Sequence, residues 1–426
     1  MKVCYVSSYL PAHHNAWGGA EQACYRLAKL FAANEQDLTV LTTNPDNRIK
    51  EVFRLRSLKT FEGPLNNKKI VRWIRNFKRA FFFPFDIVTY FDAEKVLSEI
   101  KPDVIHLHNF SYLTFSIIQS AKKLGIPVIL SVYDNWYFCP LTTLIKNRKS
   151  IDEIEVCRDF HGFSCIGCNF QNPVMQKFFG ILRKPFFDFY LNKIDAFVAI
   201  NKNSAEMMAE YGIPKEKISV IPLPLPSTKY ELVGDGNKEN DFILYVGWIE
   251  PRKGLHVLIK AMRNVVRELP NIKLYVIGAE TNDRQYFIYV KNLIKQYKLE
   301  SNVLLLGKKT NTETLEFIRR AKFVVVPEQW EIAIPIALTE AMLLEKATVC
   351  SHIGGIPSFI RNGENGFIVD PKNPREFAEK IVWLLKNPQS ASKMGKLARK
   401  HVIEICNEGT IYKELSDLYK LVSKRH

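Results

Sequence analysis

Two stretches of this chain, one at its start and one past its midpoint, repeat the same order: a short apolar run, a glycine-containing loop, then an apolar stripe at helical spacing. The first is Lys2 to Ser8, the loop PAHHNAWGGAEQ, and the stripe Ala23, Leu27, Leu30, Phe31. The second is Asp241 to Gly247, the loop WIEPRKG, and the stripe Leu255, Leu258, Ile259, Met262. Further strand signals fall at Leu38 to Thr42, Asp103 to His108, Pro127 to Ser131, Asp195 to Ile200, Leu274 to Gly278, Val303 to Gly307 and Phe323 to Pro327. Helical patterns lie between them, one around Ala93 to Ile100. Alternation of this kind predicts an α/β chain with parallel, doubly wound sheets. In such sheets ligands collect beyond the strand C-termini.

At 426 residues, 47% of them hydrophobic, the chain is too long for one ordinary core and can fill two. The segment Ile221-Pro-Leu-Pro-Leu-Pro followed by the polar GDGNKEN reads as the linker between domains of roughly 200 residues each. The expected division is 1–228 for the first domain, with a cysteine-containing insertion at 139–168, then 229–406, then a terminal segment 407–426. The opening MKVCYVSSYL lacks a charged n-region and a cleavage site and reads as a first strand. No apolar stretch reaches the ~20 residues of a membrane span, so a cytoplasmic protein, peripheral at a membrane's inner face or free of it, is expected.

Sixty Lys and Arg against 44 Asp and Glu give a net charge of +16, which favours an anionic partner. No helix-turn-helix, finger or aromatic RNA platform accompanies the charge, so nucleic acid is not the expected partner. The basic stretch 68–83, KKIVRWIRNFKRAFFF, sets Ile70, Trp73, Ile74, Phe77 and Phe81 on one helical stripe. It reads either as a helix lying on an anionic membrane surface or as a core-facing helix with a basic back. The aromatic run 174–191, interrupted by Pro185, reads as core.

Candidate chemistry gathers in the second half. A ribose needs a carboxylate to accept its hydroxyl hydrogens, and a diphosphate needs cations or bare backbone N–H groups. Between Pro327 and Gly366 the chain places Glu340 for the first task and a Gly354-Gly355 pair, ahead of an expected helix, for the second. Lys253, where the WIEPRKG loop meets its helix, can face a phosphate as a point charge. In the first half, Gly18-Gly19 sits at one strand end, and His106, His108, Asp134 and Trp136 near others. Cys139, Cys157, Cys165 and Cys168 fall close together, and Cys165-Ile-Gly-Cys168 has a chelating gap. The set reads as a structural zinc site, as thiols without metal, or as one or two disulfides.

Taken together these motifs resemble the family 4 retaining glycosyltransferases of the GT-B fold, in which two Rossmann-like domains face across a cleft. The resemblance is carried by GGAE at Gly18 to Glu21, HLHN at His106 to Asn109, YVGWIEPRKG at Tyr245 to Gly254, and PEQW, EAM, GGIP and NGENGFIV between Pro327 and Val369. YDNWYFCP is similar to a subgroup with an Asp-x-Trp turn before Cys-Pro. The resemblance implies a nucleotide-sugar donor, UDP-, GDP- or ADP-linked, with Lys253 on its diphosphate and Glu340 on its ribose. It implies further donor contacts at Gly18, Gly19, Gly247, Trp248, Arg252, Gly307, Lys308, Ile334, Pro335 and Ile336, and a catalytic set of Lys253, Glu331 and Glu340. His108, Tyr133, Asp134 and Trp136 would face a glycan or lipid-linked acceptor, and a helix near Tyr412 to Val422 would return to the first domain. No Asp-x-Asp motif is present, so no catalytic metal is expected.

Four positions depart from the family pattern. The first of the family's paired acids would fall at position 332, which is Ile332, with Glu331 one residue before it. Trp248 stands where an arginine is usual, Tyr133 replaces a histidine, and Ser358 replaces an acid. Two functions follow: a transferase that retains anomeric configuration, serving cell-surface polysaccharide synthesis, or a non-catalytic sugar-nucleotide or glycan-binding scaffold.

Overall fold

The protein is described by a computed structural model covering residues 1–14, 19–46, 48–60, 85–111, 113–139, 142–146, 150–160, 183–225, 241–280 and 284–425. Gly18, the basic stretch 68–83, Cys165, Cys168, the first part of the aromatic run and most of the expected linker lie outside the described residues. The chain divides into two compact units. The first comprises Met1–Thr142, Arg158–Leu225 and Cys406–His426, and the second Thr143–Cys157 and Pro226–Ile405. The insertion expected within the first domain is therefore divided, because Thr143–Cys157 clusters with the second unit. There Asp152 accepts from Lys260 Nζ (2.7 Å) and the Tyr289 hydroxyl (2.8 Å).

The first unit is built on β1 (Lys2–Val6), β2 (Asp37–Thr43), β3 (Arg54–Leu58), β4 (Val104–Leu107), β5 (Val128–Val132), β6 (Ala196–Ala199) and β7 (Ile218–Val220). Their order is β3-β2-β1-β4-β5-β6-β7 and every pairing is parallel. The second unit has β8 (Phe242–Val246), β9 (Lys273–Ile277), β10 (Val303–Gly307), β11 (Val324–Val326), β12 (Thr348–Ser351) and β13 (Phe367–Val369), in the order β10-β9-β8-β11-β12-β13. Both sheets thus reverse direction beside their first strand, between β1 and β4 and between β8 and β11. That switch point is where a doubly wound sheet opens a crevice.

The stripes behave as their spacing predicts. On the helix Leu255–Glu268, Leu255, Leu258, Ile259 and Met262 are fully buried in the second core. On Gly19–Ala33, Ala23, Leu27 and Phe31 are buried against β1 and β2. The helix of Ala93 begins earlier than expected, at Ile87, because the Asp86 carboxylate accepts from Val88 N and Thr89 N and caps it. Residues 183–191 are helical through Pro185, so that proline does not interrupt the element.

The last helix, Glu408–Ser423, completes the first unit. Ile411, Leu415, Tyr419 and Val422 are buried in its core. The Tyr419 hydroxyl lies 2.6 Å from His106 Nδ1 and 2.9 Å from the Tyr5 hydroxyl, while His106 Nε2 meets Ser131 Oγ at 2.8 Å. This buried polar chain joins β1, β4, β5 and the final helix. Burial depresses the His106 pKa to about 3, so the ring is neutral.

Candidate functional site

In the second unit, β8 ends at Val246 and delivers Gly247 and Trp248, the latter half exposed, to the crevice end of the sheet. The following turn, Pro251–Lys253, stops at Gly254, whose φ of 71° lies in the left-handed region. A Cβ at Gly254 would fall 1.7 Å from the Pro327 carbonyl oxygen, so only glycine lets the loop after β8 lie against the end of β11. The same seam is closed by Gln329 N–H donating to Arg252 O (2.8 Å).

This close approach sets Lys253 against Glu328. The ammonium lies 2.7 Å from Glu328 Oε1, and the two side chains are only 14% and 6% exposed. Trp330 Nε1–H donates to the other carboxylate oxygen (2.8 Å). The Arg252 guanidinium sits over the Trp330 ring, 4.2 Å from its centre, with Nε 2.7 Å from Glu250 Oε1. Lys253 is therefore held in place rather than solvated, and Glu328 and Trp330, absent from the expected set, hold it. Both lie just past the end of β11.

Glu340 projects from the helix Ile336–Leu343 and is 6% exposed. Asn311 Nδ2–H donates to its Oε1 at 3.3 Å. Asn311 opens the helix Asn311–Arg320, which is fixed by a Thr310/Glu313 capping box. Gly307, with φ of 70°, and Lys308 precede that helix and are exposed. Pro335 is buried at the head of the Glu340 helix, Ile334 is half-buried, and Ile336 is half exposed.

The glycine pair differs from its expected role. Gly355 N–H donates to Ile332 O (2.8 Å), and the turn that follows, Ile356–Ser358, is a short 3-10 turn rather than a helix. The Gly355 N–H is thus engaged by the chain, not bare for a phosphate. Gly354, at φ 57°, lets this turn close over Ile332, whose carbonyl oxygen would stand 2.3 Å from any Cβ there. Ile332 is consequently a backbone contact of the turn, and Glu331 beside it is half-buried.

In the first unit His108 and Tyr133 directly follow β4 and β5. Their rings stack at 9° and His108 Nδ1 lies 2.7 Å from the Tyr133 hydroxyl. Burial lowers the His108 pKa well below the usual imidazole value, and burial raises that of Tyr133, so both groups are neutral. Asp134 Oδ1 accepts from Trp136 N–H (2.9 Å), turning the chain so that Trp136 packs on Phe110, Phe115 and Phe187. All four expected acceptor-side residues, His108, Tyr133, Asp134 and Trp136, line one cavity of about 360 Å³. Glu21 and Asn109 line it too, and Asn109 Nδ2–H donates to Glu21 Oε1 (2.6 Å). Gly19 begins the helix that carries Glu21.

Cys139 and Cys157 are both buried. Among the described residues no group of three or more His, Cys, Asp or Glu could hold a metal ion. Nor, among them, is any helix long and apolar enough to cross a membrane.

Comparison with known proteins gives a consistent picture. The model of Glycosyltransferase Family 4 matches residues 17–227, and that of Glycosyl transferases group 1 matches residues 232–401. The chain is 25% identical over 355 residues to the uncharacterized glycosyltransferase MJ1178 of Methanocaldococcus jannaschii, covering 80% of this chain and 92% of that protein. It is 29% identical over 218 residues to the capsular polysaccharide biosynthesis glycosyltransferase CapM of Staphylococcus aureus, covering 50% of this chain and 53% of CapM. In fold it resembles the crystal structure of Anabaena Alr3699/HepE in complex with UDP, with a TM-score of 0.70 and 15% identity over 99% of this chain and all of that one. Two Rossmann-like α/β units in one chain, matched in turn by these two glycosyltransferase models, make this protein a glycosyltransferase of family 4, group 1.

Proposed function

We propose that the chain is an active, retaining transferase that moves a sugar from a nucleotide-sugar to a glycan or lipid-linked acceptor in cell-surface polysaccharide synthesis. The observation that carries the reading is the crevice end of the second sheet, where a fixed lysine, Lys253, and a buried carboxylate, Glu340, lie on loops and helices that follow its strands. Glu340 accepts the ribose hydroxyls. Lys253, with Arg252 near it, faces the diphosphate and stabilises it as it departs. The remaining proposed donor contacts are Gly18, Gly19, Gly247, Trp248, Gly307, Lys308, Ile334, Pro335 and Ile336. Glu331 faces the donor sugar from the segment clasped by Gly354 and Gly355.

The acceptor occupies the cavity beside His108, Tyr133, Asp134 and Trp136. The displacement is dissociative and on one face: the bond to the diphosphate breaks first, and the acceptor oxygen then bonds the anomeric carbon while its proton passes to the departing phosphate. Catalysis rests on positioning and leaving-group stabilisation. The UDP and the capsular polysaccharide named for HepE and CapM support the donor and pathway classes.

Nucleotide release from UDP-, GDP- and ADP-sugars, with and without glycan acceptors, tests the proposal. Turnover with one donor is expected. Nucleotide binding without turnover would favour the scaffold reading, for which the replaced Ile332, Trp248, Tyr133 and Ser358 speak.

Two further proposals concern segments that lie wholly or partly outside the described residues. The stretch 68–83 contacts an anionic membrane surface from the cytoplasmic side, so the protein should float with anionic liposomes at low salt and Trp73→Glu should not; flotation unchanged by that substitution overturns it. Cys139, Cys157, Cys165 and Cys168 hold a structural zinc, seen as stoichiometric metal lost in Cys165→Ser; folded, metal-free protein overturns it.

A further inference from the structure

The chain carries a net charge of +16, yet the first unit's cavity is lined by no lysine or arginine among the described residues. Among those residues, the charged groups lining it are Glu21 and Asp134, both carboxylates. His108 adds no positive charge, since burial keeps its ring neutral. The cavity also carries the rings of Tyr133, Trp136 and Tyr137. At about 360 Å³ it is at the small end of ligand pockets, about 300–1,000 Å³, with room for one sugar ring rather than a chain.

We infer that the sugar residue seated in this cavity is uncharged or carries an amine, and that sugars bearing a carboxylate or phosphate are refused there by Glu21 and Asp134. The inference rests on the acceptor reading above and gives that acceptor its chemical class.

The chemistry follows from the groups present. Carboxylates accept hydrogen bonds from hydroxyls or from an ammonium and have none to donate to another anion. Asn109 spends one amide hydrogen on Glu21, which orients that carboxylate within the cavity wall. Asp134 is turned by its bond to Trp136 N–H. Aromatic faces cover the apolar C–H surface of a pyranose and leave its hydroxyls at the ring edge. The buried His108 completes the wall: its Nδ1 is taken by the Tyr133 hydroxyl, while its Nε2 finds no partner among the described residues. A hydroxyl-bearing ligand beside that ring can supply one. An anionic ligand would instead have to lie against two like charges, the half-buried Glu21 and the exposed Asp134.

Saturation-transfer NMR on the full chain tests the inference with methyl glucoside, methyl glucosaminide, methyl glucuronide and glucose 6-phosphate. The neutral and amino sugars should bind, and Trp136→Ala should remove the signal. The glucuronide and the phosphate should bind at least tenfold more weakly. The doubly substituted Glu21→Gln/Asp134→Asn protein should narrow that gap to within about twofold. Trp136-dependent binding of the glucuronide as tight as that of the neutral glucoside would overturn the inference, as would no Trp136-dependent binding of any of the four. UDP, GDP and ADP binding is measured on the same samples by calorimetry. Failure of all three nucleotides would count against the donor reading alone, because sugar selection by the cavity is read separately.

Discussion

Lys253 Nζ lies 2.7 Å from a Glu328 carboxylate oxygen whose partner oxygen is held by the Trp330 indole. The cation nearest the proposed diphosphate position is thus half of a buried pair. Removing one member strands the other charge, at about 3–5 kcal/mol, whereas replacing both with apolar residues is far less damaging. Glu328→Leu and Lys253→Met should each lower the melting temperature, and the double variant should melt above the Glu328→Leu protein. Additive losses in a thermal double-mutant cycle would show that the pair is not coupled.

Lys253 and Glu340 should separate in kinetics. Truncating Glu340 to alanine removes charged hydrogen bonds worth about 1.5–3 kcal/mol, so nucleotide affinity should fall by about 10- to 100-fold. Lys253→Ala should act mainly on turnover, since its charge matters most as the leaving group gains charge. Calorimetric titration with nucleotide beside steady-state turnover distinguishes the two. Unchanged values for both variants would displace the site.

His106 predicts an acid-sensitive first unit. Its folded pKa of about 3 is below the unfolded value near 6.5, so the unfolded chain takes up the proton first as pH falls. The stabilising contribution is complete above about pH 6.5 and is lost between there and about pH 3, at up to ~1.4 kcal/mol per pH unit. His108 adds in the same direction. Urea unfolding at about pH 7.5, 6 and 5 should show the decline, with a shallower slope in His106→Gln. Tyr419→Phe should lower stability at every pH, because it removes the hydroxyl between Tyr5 and His106.

Two glycines with nearly the same φ should respond differently to alanine. At Gly254 the new methyl would meet the Pro327 carbonyl at 1.7 Å, while at Gly307 nothing lies within 4 Å. Gly307→Ala should cost only the left-handed strain, about 1–2 kcal/mol. Gly254→Ala should prevent the β8 loop from seating and unfold or inactivate the second unit. Equal thermal shifts in the two variants would contradict the close approach.

The central strands were legible in the sequence because burial on both faces writes them as continuous apolar runs, as in β1, β4, β5 and β8. The edge strand β3, RLRSL, and the partly exposed β7, ISV, carry no such signal and are seen only through their pairing with β2 and β6. Lys253 and Glu340 stood out by residue type and place. Glu328 did not, since a strand pattern gives no hint that a loop seventy-five residues earlier delivers a lysine to it. The Gly354-Gly355 pair was misread for a related reason: the sequence shows a flexible turn but not that Ile332 O receives the Gly355 N–H.

The final helix gives the chain an order of assembly. Residues 1–142 emerge from the ribosome long before Glu408–Ser423, yet His106, Tyr5 and the surrounding core obtain their partner Tyr419 only from that helix. The first unit to be synthesised is therefore the last that can be finished. A nascent or truncated chain ending near Ile405 would hold the whole second unit while leaving the first with an open apolar groove, a natural landing place for a chaperone.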